Sequence, residues 1–105
     1  MTRYRVASRE DVPQGEAVVA GVGDQRLALC NVGGTIYAID DVCTHDGGPL
    51  GEGELVGNEI ECPRHGARFD VRTGRVTRMP AVAPVKTYAV EEQAGDLYVD
   101  VPDDW

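Results

Sequence analysis

The 105-residue sequence has no apolar run near 18 residues, which excludes a membrane-spanning helix. Basic residues are scarce: Lys and Arg number 10 against 18 Asp and Glu, a formal charge of −8. So acidic a chain disfavours nucleic acid; it suits a partner with a basic docking patch, because opposite potentials steer encounter, and equally a surface that is acidic for solubility alone. Aromatics are few, at 6%. Cysteines number only 3, too few for an internal disulfide framework. The opening Met1-Thr2-Arg3-Tyr4-Arg5 has no apolar segment of a secretory leader, so a cytoplasmic protein is expected. Repeats, linkers and low-complexity tracts are absent, and the length suits one domain, residues 1–105.

Gly and Val are plentiful, which suits a compact all-β domain with many turns. Strands are expected at Tyr4–Ala7, Ala17–Val22, Arg26–Val32 and Thr35–Ile39, with turns at Gly23-Asp24 and Gly33-Gly34. Ser8 to Pro13 reads as one helical turn opened by Ser and ended by Pro. Val85–Glu91 and Asp96–Val101 are expected to pair across Gln93-Ala94-Gly95. Leu97, Val99 and Val101 alternate with polar neighbours, so one face of that last strand is buried. Phe69 to Val76 reads as a hairpin turning at Thr73-Gly74. Short strands with regular turn signals predict an antiparallel β-sandwich or barrel.

Chemistry concentrates in two short loops, Cys43-Thr44-His45 and Cys62-Pro63-Arg64-His65, with sixteen residues between them. They hold the only 2 histidines, each within three residues of a cysteine. One thiolate and one imidazole from each loop make a four-ligand site. Such a set suits a 2Fe–2S cluster in which a histidine pair replaces the cysteine pair on one iron. A tetrahedral zinc accepts the same donors, but zinc sites usually group cysteine with cysteine and histidine with histidine. A third reading, in which nothing binds, leaves four such residues in Gly/Pro-rich loops with no packing role. The third cysteine, Cys30, lies in the strand-like run 26–32 and reads as a small buried hydrophobe.

The pattern Cys-x-His, sixteen residues, Cys-x-x-His resembles the ligand signature of Rieske iron–sulfur proteins, and almost the whole chain is similar to a Rieske-type ferredoxin. The resemblance implies an antiparallel β-sandwich with an inserted cluster-binding subdomain, here about residues 42–82. It implies one Rieske-type 2Fe–2S cluster, with Cys43 and Cys62 on the buried iron. His45 and His65 would hold the outer iron through Nδ1, their rings facing solvent. The Pro80 to Pro84 stretch would cover the cluster. Between the loops, glycines let backbone approach a ligand closely.

Departures from the respiratory branch are informative. The two extra cysteines of that branch, joined as a disulfide, correspond here to Gly48 and Arg64. Its Ser and Tyr donors to cluster sulfurs correspond to Ala67 and Phe69. Fewer donors lower the potential, which points to a low-potential carrier rather than a quinol oxidase subunit. Both histidines are already used, so the mononuclear iron of a catalytic oxygenase subunit is excluded.

The leading expectation is therefore a non-enzymatic, one-electron carrier. It would be a cytoplasmic monomer working between a flavin-dependent reductase and a terminal oxygenase, with no membrane or nucleic-acid partner. The alternatives are a Rieske-type small subunit of a larger reductase, such as an assimilatory nitrite reductase, and a zinc-stabilised binding module.

Overall fold

The computed structural model describes residues 1–44 and 47–103. Among the described residues all regular structure is β, apart from single 3-10 turns at Arg9–Asp11 and Leu50–Glu52. No helix among the described residues is long and apolar enough to cross a membrane.

The strands form three antiparallel sheets. One contains β1 (Thr2–Ser8), β10 (Val90–Gln93) and β11 (Asp96–Val101), with β11 in the centre. A second runs β2 (Ala17–Val22), β3 (Gln25–Val32), β4 (Thr35–Asp40), β9 (Thr87–Tyr88) in spatial order. The third runs β5 (Glu54–Val56), β6 (Glu59–Glu61), β7 (Arg68–Asp70), β8 (Val76–Arg78).

The second sheet stands between two cores. Side chains alternate across a strand, so β3 feeds both. Leu27 and Leu29 pack with Val12 and with Leu97, Val99 and Val101 of β11. Ala28 and Cys30 pack on the other side, with Ile60, Phe69 and both loop cysteines. A strand buried on both faces reads as a continuous apolar run, which is why Leu27-Ala28-Leu29-Cys30 has no polar alternation. Cys30 is fully buried between its ladder partners Ala17 and Tyr37, as expected of core. Burial pushes its thiol pKa up to about 12.

The expected strands over the first forty residues are present. So are the turn at 9–11, where the Asp11 carboxylate accepts the Ser8 N–H at 3.1 Å, and the buried alternation of β11. The single strand expected over 85–91 is instead two, in different sheets. Thr87–Tyr88 pairs with β4, and the Tyr88 hydroxyl donates to Asp40 Oδ1 at 2.6 Å. Val90–Gln93 pairs with β11. The chain changes sheets at Ala89, which makes a corner between layers. Val85 belongs to neither strand: its N–H donates to Gly74 O at 2.9 Å, tying it to the β7–β8 turn. The β5–β6 hairpin across Gly57-Asn58 was not expected, because three-residue strands carry too little periodicity to be read.

Candidate metal centre

The two cysteine loops follow β4 and β6, and their backbones repeat one another. In the first, the Cys43 N–H donates to Gly48 O at 2.9 Å and the Gly47 N–H donates to Cys43 O at 2.8 Å. In the second, the Cys62 N–H donates to Ala67 O at 2.7 Å and the Gly66 N–H donates to Cys62 O at 3.1 Å. Each loop therefore begins with a cysteine and turns through a glycine four residues on. Gly47 has φ +74° and Gly66 φ +75°. That left-handed conformation disfavours a side chain bearing Cβ, which accounts for glycine at both places.

The matched turns bring Cys43 and Cys62 into one buried cluster, each 1% exposed, with Leu50, Ile60, Ala67 and Phe69 around them. His65 lies on the exposed side of the second loop. His45 lies outside the described residues. A thiol pair on the apolar side and an imidazole on the open side fit a mixed Cys/His donor set: the thiols are screened from water and the histidine faces it. Ala67 and Phe69, where hydroxyl donors were expected to be missing, are both fully buried beside Cys62.

Surrounding contacts hold the loops in place. The Thr44 hydroxyl donates to Ala83 O at 2.6 Å, which draws the segment after β8 against the first loop. At the base of the second loop, Arg68 bridges Glu61 at 2.9 Å, and Arg78 reaches the same carboxylate at 3.4 Å.

Residues 2–89 match the model of the Rieske 2Fe-2S domain. The chain belongs to the Rieske family. This Rieske protein is 39% identical over 104 residues to the 3-phenylpropionate/cinnamic acid dioxygenase ferredoxin subunit of Shigella flexneri serotype 5b, covering 98% of this chain and 97% of that one. The ferredoxin of carbazole 1,9a-dioxygenase from Nocardioides aromaticivorans IC177 superposes with a TM-score of 0.89 at 35% identity, over 94% of this chain and 97% of that one. A chain in a complex of reduced oxygenase and oxidized ferredoxin of carbazole 1,9a-dioxygenase matches with a TM-score of 0.86 at 38% identity, over 92% and 91%.

The Rieske chain is thus a ferredoxin that carries one 2Fe–2S cluster, an electron-transfer component and not itself a catalyst. Matches at nearly full length to ferredoxin subunits leave the nitrite reductase small subunit and the zinc module unfavoured. Sequence reasoning picked out the Cys/His loops and the glycine-rich stretch after the first, but overlooked Gly66 and the matched turns. Their signal was the repeated Cys-x-x-x-Gly of Cys43–Gly47 and Cys62–Gly66.

Proposed function

We propose that this Rieske ferredoxin passes single electrons from a flavin-dependent reductase to a terminal oxygenase, as a cytoplasmic monomer. Residues 42–82 serve as its cluster-binding subdomain within one domain, 1–105. Cys43 and Cys62 would hold one iron of the cluster, and His45 and His65 the other. When bound, a 2Fe–2S cluster takes up and releases one electron.

The observation that carries this reading is the pair of matched turns, each opened by a buried cysteine, with His65 on the exposed side. Leu50, Ala67 and Phe69 keep water from the thiol side. The histidine side stays open to a partner, so electrons enter and leave through the imidazoles. An oxygenase as receiver is supported by the similar chain in a ferredoxin–oxygenase complex.

Purified protein should contain two irons and two acid-labile sulfides per chain. One equivalent of zinc without sulfide would sink the reading. Cys62→Ala and His65→Ala should each abolish the native visible spectrum; a native spectrum in either variant removes that residue from the ligand set.

A further inference from the structure

The two ligand loops are alike at their tips and unlike at their bases. Glu61 and Arg68 beneath the second loop are ladder partners in the β6–β7 hairpin, and the bond from Cys62 to Ala67 continues that hairpin by one step. The strand ladder itself clamps the second loop. Beneath the first loop β4 ends at Asp40, and Leu50–Glu52 on the return side form a 3-10 turn, not a strand. No ladder joins residues 41 and 51.

A buried carboxylate stands in the ladder's place. The Asp41 side chain is 0% exposed. Its Oδ1 accepts the Gly51 N–H at 2.6 Å, and its Oδ2 accepts from Arg26 Nη2 at 3.0 Å. The Asp41 N–H donates to Arg26 O at 3.1 Å, fixing the carboxylate to the second sheet. Gly51 is pressed so close that a Cβ there would lie 2.6 Å from Val19 Cγ2 and 2.8 Å from Asp41 Oδ1. A buried carboxylate is tolerated only when paired and hydrogen-bonded, and here its bonds to Gly51 and Arg26 fasten one side of the first loop to the other and to β3.

We propose that Asp41 is a positioning residue for the iron–sulfur site: its carboxylate closes residues 42–50 onto Gly51 and so holds the Cys43 loop in the shape that the strand ladder gives the Cys62 loop. Arg26, on the solvent side, covers the charge. The clamp acts through the loop, at the Gly51 N–H. The inference rests on the ligand assignment proposed above, which the iron and sulfide content of the parent protein tests separately.

The experiment compares three holoprotein variants with the parent, reading iron release to excess chelator and the electron paramagnetic resonance g-values of the reduced protein. Asp41→Leu orphans the Gly51 N–H. It should release iron about tenfold faster, the scale of one hydrogen bond to a charged group, with shifted g-values. Asp41→Asn keeps an oxygen acceptor for Gly51 and should release iron within about twofold of the parent. Leu97→Ala, in the opposite core, should lower the unfolding temperature yet keep parental release and g-values.

Parental release from Asp41→Leu would overturn the clamp. So would Leu97→Ala releasing iron as fast as Asp41→Leu, since global instability would then suffice. If Asp41→Leu assembles no cluster, Asp41→Asn decides: a stable holoprotein supports the clamp and rapid iron loss overturns it.

Discussion

Arg72 grips the Asp70 carboxylate through three hydrogen bonds, from its backbone N–H at 2.9 Å, Nε at 3.1 Å and Nη2 at 2.9 Å. Asn58 Nδ2 adds another at 3.1 Å. The pair sits at the β7–β8 turn, one strand from the second ligand loop. Arg72 is the main reason that the Asp70 pKa falls from 3.8 to about 2, against an opposing push from partial burial.

That depression fixes a pH dependence. In the unfolded chain an aspartate binds its proton near pH 3.8, before folded Asp70 does at about 2. The unfolded state is therefore favoured as acid is added, and the stability from this group is complete above 3.8 and lost as pH falls toward about 2. Asp70→Asn lacks the titration. The gap in unfolding temperature between parent and Asp70→Asn should be widest near neutrality and close across that acid window. A gap that stays constant with pH would show that the carboxylate charge contributes nothing.

Cys30 should behave as core in spite of its thiol. Full burial and a pKa near 12 leave almost no thiolate at neutral pH. In the folded holoprotein iodoacetamide at pH 8 should leave Cys30 unlabelled by mass spectrometry. Cys30→Ala should retain the cluster spectrum and lose about 1 kcal/mol of stability, the cost of a small void. Loss of the spectrum in Cys30→Ala would make Cys30 part of the site.

Ala67 and Phe69 bear on the potential. Both are fully buried beside Cys62 and neither carries a hydroxyl. Donors to cluster sulfur stabilise the reduced, more negative state. The midpoint should therefore lie near the low end of the Rieske range, about −150 mV. Ala67→Ser or Phe69→Tyr should raise it if the new hydroxyl reaches sulfur. A hydroxyl that finds no acceptor would instead lower stability by about 1–3 kcal/mol and leave the potential alone. Voltammetry and thermal unfolding on the same samples separate the two outcomes.

Local signals made much of this molecule legible. Gly23-Asp24 and Gly33-Gly34 punctuate β2, β3 and β4, and the pairing of each histidine with a cysteine marks the candidate site. What stayed hidden depends on partners distant in sequence. The break between β9 and β10 follows from Tyr88 bonding Asp40, forty-eight residues away. Asp41 in an acidic chain looks like one more solvated charge, and only the approach of Gly51 and Arg26 reveals it as buried structure. The matched turns needed no tertiary information, since both glycines stand four residues after a cysteine.

Docking should depend on an apolar rim set in an acidic surface. Val42 precedes the first loop and is 49% exposed; Met79 and Val82, in the segment that Thr44 draws against that loop, are 79% and 88% exposed. Large apolar side chains grouped in this way mark a contact surface. Cations elsewhere are largely spent on carboxylates, as with Arg3 on Asp100, Arg5 on Asp96 and Arg9 on Glu92. The net field that a partner meets is therefore negative. Stopped-flow transfer to an oxygenase should slow as salt rises, because exposed charges are screened over about 10 Å at 0.1 M ionic strength. Val82→Lys should slow it further by setting a cation against a basic patch, most strongly at low salt, with the visible spectrum unchanged. Met79→Ala should weaken the contact at every salt concentration, since it removes apolar area and no charge. Transfer indifferent to salt and to both substitutions would exclude docking at this rim and favour a relay held in a permanent complex.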